Sequence, residues 1–214
     1  MQNAVFQPGV GPIRAAHYLP ADPSAVLRGR LPCPPDSPVL TIDPGDEVSI
    51  DTISHDGIHE DLQRVAVAGD VCPHSVPPRP HDGNIDIDLL TVGSSLSLPV
   101  QAEGALASSG DAHFAQGDGE VALGAMEASL WATLRLDVLS QQDALEAFGA
   151  LVGPLVQTTE YLVLTGMDED LDEAVKACVP RSPWCRPDSH STPQTPMRTS
   201  ARRRTSTSRR SWIS

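Results

Sequence analysis

Residues 110–120 form a short segment with a dense set of side chains that could do chemistry. The segment reads GDAHFAQGDGE and holds three carboxylates, one imidazole and one amide, which are Asp111, Asp118, Glu120, His113 and Gln116. Its three glycines allow the backbone to turn tightly around these groups. Such polar groups are costly to bury without partners, so a protein core has no use for them. The composition therefore indicates a catalytic or metal-binding segment.

The spacing of these residues suggests a division of roles. Asp111 and His113 are two positions apart, which places both on one side of an extended segment and makes them candidate ligands for a divalent ion such as Zn²⁺ or Ca²⁺. Asp118 and Glu120 repeat that spacing after a turn. Glu120 is the preferred general base, with His113 and Asp118 as further catalytic candidates. Gln116 could hold a substrate amide or an oxyanion.

Other interpretations of the same residues remain open. The segment could be a calcium-like structural loop or a solvated turn rich in Asp and Gly. His55 could join the site from a distant loop, although a histidine next to Asp56 is often only a surface pair. Ser94 and Ser95 follow a glycine, but the sequence GSS lacks the GxSxG pattern of a serine nucleophile.

The elements that must position this segment are mostly strands. Apolar residues alternate with polar ones in several stretches, which is the period of a strand. The strands are predicted at Val39–Ile53 (two strands around the turn Pro44–Asp46), Ile85–Leu89, Leu96–Val100, Leu130–Val138 and Glu160–Thr165, with the last one ended by Gly166. A helix is predicted over Asp168–Val179, because its first turn is acidic and an apolar stripe follows. The fold class is therefore mostly β, of the sandwich or barrel kind, with a C-terminal strand–helix unit.

Two motifs in this order resemble a known family. GNIDIDLLTVGSSLSLPV at 83–100, followed by GALASSGDAHFAQGDGEVALGAMEASL at 104–130, is similar to the signature region of the acetamidase/formamidase family. Residues 40–58 resemble that family's PGD segment, and residues 158–179 resemble its strand–helix unit. The resemblance implies hydrolysis of short linear amides, of the formamide or acetamide type, to ammonia and a carboxylic acid. It also implies a divalent ion, Zn or Ca, with Asp86 as a further metal ligand and Asn84 as a substrate-binding residue.

The resemblance divides the chain into three parts. Residues 1–38 form an irregular arm, 39–179 a family-like domain that lacks a block between about 61 and 83, and 180–214 a disordered tail rich in Arg, Ser and Pro. The composition of the tail is typical of a segment translated out of the original reading frame. The alternative to an active enzyme is thus a shortened, catalytically incompetent member that binds a small ligand or metal or has a structural role. A lost block would leave sheet edges and apolar faces open, so a homo-oligomer is expected.

Charge and cysteine usage restrict the partners and the compartment. Up to Pro180, 7 Lys and Arg stand against 27 Asp and Glu, a net charge of −20, whereas from Arg181 onward 8 Arg stand against one Asp, a net of +7. The acidic body argues against nucleic acid and anionic membranes, and only the Arg-rich tail offers a nucleic-acid contact as a third interpretation. Four cysteines without CxxC spacing and the lack of a long apolar run predict a soluble, cytoplasmic protein with reduced thiols.

Overall fold

A computed structural model describes residues 14–22, 24–27, 30–32, 36–52, 84–101, 104–120 and 124–178, and the backbone of 197–203 and 212–213. In chain order, its elements are β1 (His17–Leu19), β2 (Glu47–Asp51), β3 (Ser95–Ser97), β4 (His113–Ala115), β5 (Met126–Glu127), β6 (Trp131–Arg135), α1 (Gln141–Phe148), β7 (Leu155–Gln157), β8 (Leu162–Asp168), α2 (Leu171–Cys178), β9 (Met197–Arg203) and β10 (Trp212–Ile213). Within these ranges, no helix is long and apolar enough to cross a bilayer.

The chain forms two compact units, each built from three separate segments. The first unit comprises Met1–His74, Gly104–Phe114 and Met126–Val138, and the second comprises Ser75–Glu103, Ala115–Ala125 and Leu139–Ser214. The segment 110–120 contributes to both units, because the division falls after Phe114. The interval from about 61 to 83, where the sequence predicts a missing block, lies outside the described residues.

The first unit is built on a three-stranded sheet in the order β1-β2-β6. The central strand β2 runs parallel to β1 and antiparallel to β6, with Ser49 opposite Thr133. Val48 and Ser49 point to opposite faces of β2, and both are fully buried. The buried Ser49 hydroxyl is satisfied by the Thr133 hydroxyl across the strand, at 2.8 Å between the oxygens. The strand predicted over 130–138 is confirmed over Trp131–Arg135 only. Strand β1 lies in the arm that the sequence predicts to be irregular.

A tight turn leads into β2. The amide of Asp46 donates to the Asp43 carbonyl at 3.1 Å. Between them stand Pro44 and Gly45, whose φ of 91° is the left-handed backbone that a type II turn requires at its third residue. The predicted Pro44–Asp46 turn is confirmed. The strand predicted before it is wrong, because residues 39–46 form no strand.

The second unit contains a five-stranded sheet in the order β10-β9-β8-β7-β3. Strands β8 and β9 are parallel and are joined through α2, while the other neighbours are antiparallel. Val156 of β7 and Val163 of β8 are paired in register and buried. The backbone of 197–203 and 212–213 thus forms strands, which differs from the disordered tail that the sequence predicts. The edge of β8 supplies the hydrogen-bonding partners of the strand at 197–203.

Helix α2 packs against β8 at very close range. It begins after Asp170, whose side chain accepts hydrogen bonds from the amides of Asp172 (2.8 Å) and Glu173 (3.3 Å). A Cβ added at Gly166 would collide with the Ala174 carbonyl oxygen and lie 2.7 Å from the Cys178 sulfur. The helix predicted over Asp168–Val179 is confirmed over Leu171–Cys178. The prediction that Gly166 ends the strand is wrong, because β8 continues to Asp168 and the glycine instead makes room for the helix.

Two further differences from the sequence concern local geometry. No strand forms over 85–89, since Asp86 has a left-handed φ of 43° and the chain turns there, with the Leu90 amide bonded to the Ile87 carbonyl at 3.0 Å. Helix α1 was not predicted, although Ser140 caps it through the Asp143 amide at 3.1 Å and Gly149 closes it. The fold class nevertheless stands: the described chain is mostly β with a C-terminal strand–helix unit.

The close packing at Gly166 makes a prediction for stability. Gly166→Ala should lower the free energy of unfolding by about 1–3 kcal/mol, because the new methyl overlaps the Ala174 carbonyl. The matched control is Gly124→Ala, where an added Cβ meets nothing within 4 Å. Denaturant titration of both variants measures the difference. Equal midpoints for the two variants would contradict the packing described here.

Burial of Cys178 predicts a pH effect on stability. Desolvation raises the pKa of this thiol from 9.0 to about 11. Since the unfolded thiol ionises first, the unfolded state binds fewer protons between pH 9 and 11, and stability falls as pH rises through that window. The contribution is complete below pH 9. Cys178→Ala should flatten this part of the stability profile, measured by denaturation at several pH values; profiles that stay parallel would refute the assignment.

Candidate metal centre

A short ribbon formed by β4 and β5 carries the candidate site of the first unit. His113 is the first residue of β4, and Glu127 is the last residue of β5. The two strands are paired, and the Ala128 amide donates to the Ala112 carbonyl at 3.0 Å just beyond them. This pairing brings together two residues that are far apart in the sequence.

Asp111 reaches the same place through a turn. Its φ of 59° is left-handed, so the chain bends just before β4 instead of running straight into it. Asp is among the few residues other than glycine that accept this conformation readily. The prediction that Asp111 and His113 share one side of an extended segment is therefore wrong in its geometry. The two side chains still come together, with Asp111 Oδ1 3.6 Å from His113 Nε2.

The site combines one imidazole with two carboxylates. His113 Nε2 lies 3.4 Å from Glu127 Oε2, and the ligating atoms of Asp111, His113 and Glu127 all lie within 4.8 Å of one another. The side chains of His113 and Glu127 are only 12% and 15% exposed, whereas that of Asp111 is 45% exposed. The site is thus sheltered on the ribbon and open to solvent on the Asp111 side.

These distances suit a bound divalent ion. Two ligands that each lie about 2.0–2.2 Å from a tetrahedral Zn²⁺ are about 3.3–3.6 Å apart. The two separations at His113, 3.4 and 3.6 Å, fall in that range. Three protein ligands are also the number that catalytic zinc sites use. Asp111, His113 and Glu127 therefore fit a metal, and we call this set the triad.

The other predicted site residues belong to the second unit. Asn84 and Asp86 are half-buried and lie in the turns before β3, so Asp86 is not a member of the triad. Gln116 is half-buried and Asp118 is exposed. Glu120 is the most enclosed of this group at 3% exposure, although a carboxylate is rarely found in a protein interior. Such burial is typical of a carboxylate that a fold keeps for chemistry or for a specific partner.

Backbone conformation singles out three of the predicted site residues. Among the described residues, left-handed φ values outside glycine occur at Asn84 (56°), Asp86 (43°) and Asp111 (59°). Asn and Asp accept this conformation more readily than other residues with a Cβ, so it marks turns in the chain at these positions. Asp111 is predicted as a site residue from its chemistry and spacing, and Asn84 and Asp86 from the family resemblance.

Glu127 was missed by the sequence analysis. It is 14 positions beyond His113 and stands in MEASL, where no polar pattern marks it. Only the pairing of β4 with β5 brings it to the site.

The alternative site residues named from the sequence have other surroundings. Ser94 donates its hydroxyl to the Thr91 carbonyl at 2.5 Å in an exposed turn, as a structural residue does. His55 lies outside the described residues.

Comparison with protein families decides the affiliation of the chain. Residues 46–179, well over half of the chain, match the acetamidase/formamidase family. The chain belongs to this family. The match includes all three triad residues, so the triad lies in the part of the acetamidase/formamidase domain that this chain shares with other members.

Individual relatives of this acetamidase/formamidase chain match it over about half its length. An acetamidase from Mycolicibacterium smegmatis is 35% identical over 117 residues, which cover 51% of this chain and 28% of the relative. A formamidase from Methylophilus methylotrophus is 34% identical over 110 residues, which cover 48% of this chain and 26% of the relative. The chain thus spans just over a quarter of the length of these relatives. Comparison with solved structures found no significant match.

The triad predicts a metal affinity that depends on Glu127. Glu127→Gln should weaken binding of Zn²⁺ at least tenfold, because the amide lacks the charge that the carboxylate offers to the ion. The matched control is Glu146→Gln, which makes the same change on an exposed face of α1. Isothermal titration calorimetry with Zn²⁺ measures both. If Glu127→Gln bound the ion as tightly as Glu146→Gln, Glu127 would not be a ligand.

Proposed function

We propose that this chain contributes to an amidohydrolase that cleaves the C–N bond of short linear amides to give ammonia and a carboxylic acid. Family membership and the names of the relatives, an acetamidase and a formamidase, support this reaction class. The observation that carries the proposal is the triad, since it places metal-ligating atoms of three residues together inside the region that matches the family. The substrates we propose are formamide, acetamide and close homologues.

The triad residues would hold the metal. A bound divalent ion supplies Lewis acidity, which polarises a carbonyl group and lowers the pKa of coordinated water. The mixed donor set favours Zn²⁺ over Ca²⁺, because Ca²⁺ takes oxygen ligands and His113 offers nitrogen. The half-buried His113 and Glu127 would bind in a sheltered environment where charge interactions are strong. Exposed Asp111 would be the ligand nearest to solvent and to an incoming substrate.

Proton transfer and substrate binding are proposed for the remaining residues of the sequence motifs. Hydrolysis needs a base that takes a proton from water and an acid that returns one to the departing amine. Buried Glu120 is the proposed base, with Asp118 as a second carboxylate. The Gln116 side-chain amide can donate a hydrogen bond to a carbonyl oxygen. The Asn84 side-chain amide can likewise donate a hydrogen bond to the carbonyl oxygen of the substrate amide.

The remaining proposals concern assembly and surroundings. We propose a homo-oligomer, since Phe114 and Met126 on the ribbon are 70% and 62% exposed and large apolar side chains at a surface often mark an interface. The acidic charge of the chain disfavours nucleic acids and anionic membranes as partners. Small amides are proposed from the family and the names of the relatives. A cytoplasmic location is proposed from the cysteine pattern, which includes the buried thiol of Cys178.

A second candidate function is metal or small-ligand binding without turnover. The triad favours it, because its three ligands all come from the first unit and need no catalytic group from elsewhere. This candidate requires metal affinity alone. The two functions therefore differ in whether ammonia is released by protein that has bound metal.

Ammonia release from formamide, acetamide and propionamide tests the proposal. Purified protein should release ammonia with Zn²⁺, lose activity after treatment with a chelator and regain it when Zn²⁺ is restored. His113→Ala should abolish activity together with metal binding. Glu120→Ala should lower kcat roughly 10²–10⁴-fold while metal affinity is kept, because it removes a base and not a ligand. Glu146→Gln is again the control.

The outcomes separate the two candidates. Activity that follows metal content and is lost in the two site variants supports the hydrolase. Folded protein that binds Zn²⁺ but releases no ammonia from any of the three amides supports binding without turnover. Folded protein that neither binds Zn²⁺ nor releases ammonia contradicts both.

A further inference from the structure

The connector between β5 and β6, residues 128–130, is tied at its two ends to different parts of the first unit. At its start, the Ala128 amide donates to the Ala112 carbonyl at 3.0 Å, which fixes the ribbon next to the triad. At its end, the Leu130 carbonyl accepts two hydrogen bonds from Thr52, one from the amide at 2.8 Å and one from the hydroxyl at 3.0 Å. Glu127 directly precedes this connector.

Thr52 extends the sheet by one pair and then adds a bond that the sheet does not require. Asp51 faces Trp131 in the register of β2 and β6, so Thr52 and Leu130 continue the same ladder. Any residue except proline could supply the amide bond. The hydroxyl bond needs Thr or Ser at this position. The side chain therefore makes a second, chemically specific attachment to the connector.

We propose that Thr52 is a positioning residue for the metal centre. It acts through Leu130: the doubled bond holds the connector against the sheet, and the connector holds Glu127 at its place beside His113. The inference rests on the triad as a metal site and deepens the function proposed for it. A ligand whose backbone is held at both ends of the following connector loses less freedom when it binds an ion, because its position is set in advance.

The sheet also contains a matched control for this role. Thr133 makes a side-chain hydrogen bond of 2.8 Å to Ser49, which is fully buried, but it does not bond the connector. Thr133→Val removes a hydroxyl from the same sheet and leaves a buried serine without this partner. Thr52→Val removes the hydroxyl from the connector and keeps the amide bond. Comparing the two variants therefore shows whether metal binding depends on the hydroxyl bond to the connector or on the loss of any hydroxyl bond in this sheet.

Binding of Co²⁺ and Zn²⁺ to the full chain, with thermal unfolding in parallel, tests the proposal. Groups that bond directly to metal ligands change affinity roughly 10–100-fold when mutated, and Thr52 is one step further away. Thr52→Val should therefore weaken binding about threefold to tenfold and alter the visible absorption of bound Co²⁺. Thr52→Ser should restore both the affinity and the spectrum, because its hydroxyl can bond the same carbonyl. Thr133→Val should bind Co²⁺ and Zn²⁺ with the affinity of the unmodified protein, even if its Tm falls further than that of Thr52→Val.

Each result has a definite meaning. If Thr52→Val binds Co²⁺ and Zn²⁺ with unchanged affinity and spectrum, the positioning role is wrong while the metal site stands. If Thr133→Val weakens binding as much as Thr52→Val, the effect reflects loss of stability and the proposal also fails. If the unmodified protein binds neither ion, the triad itself is not a metal site, and the proposal falls with it.

Discussion

The backbone pairing between β4 and β5 is the interaction on which the candidate site depends. Its terminal bond, from the Ala128 amide to the Ala112 carbonyl, sets which residues of two distant segments face each other. Through it, His113 meets Glu127 at 3.4 Å. The left-handed turn at Asp111 then brings a second carboxylate to 3.6 Å from the same nitrogen, Nε2 of His113. A short ribbon has little stability alone, so this arrangement needs the support of a larger sheet.

That support comes from the three-stranded sheet of the first unit. Its middle strand β2 is buried on both faces at Val48 and Ser49, and the backbone ladder from Glu47–Arg135 to Asp51–Trp131 sets its register with β6. Because a slip of one residue would turn every side chain to the opposite face, this register also fixes the position of the connector that precedes β6. Thr52 donates a hydrogen bond to the Leu130 carbonyl and so links the position of the sheet to that of the ribbon. The geometry of the triad is thus a consequence of strand register.

The second unit is organised by a different constraint, the close approach of α2 to β8. A glycine at 166 and an alanine at 174 leave room for helix and strand to pack almost backbone to backbone, and Cys178 is buried in the same contact. The same unit carries Glu120, the most enclosed carboxylate of the predicted site.

The sequence by itself determined the local features: the Pro44–Asp46 turn, strand β6, helix α2, the family, and the choice of Asp111 and His113 as candidate metal ligands. Each rests on a signal within a few residues, such as a period of two, a capping acid or a dense polar motif. It did not determine that β8 passes Gly166, that Asp86 lies in a turn, or that Glu127 completes the triad. These depend on which segments pack together, since the contacts of Gly166 with α2 and of Glu127 with His113 join residues that no local pattern relates. Tertiary structure alone decided them, because strand pairing and helix packing act between residues distant in the chain.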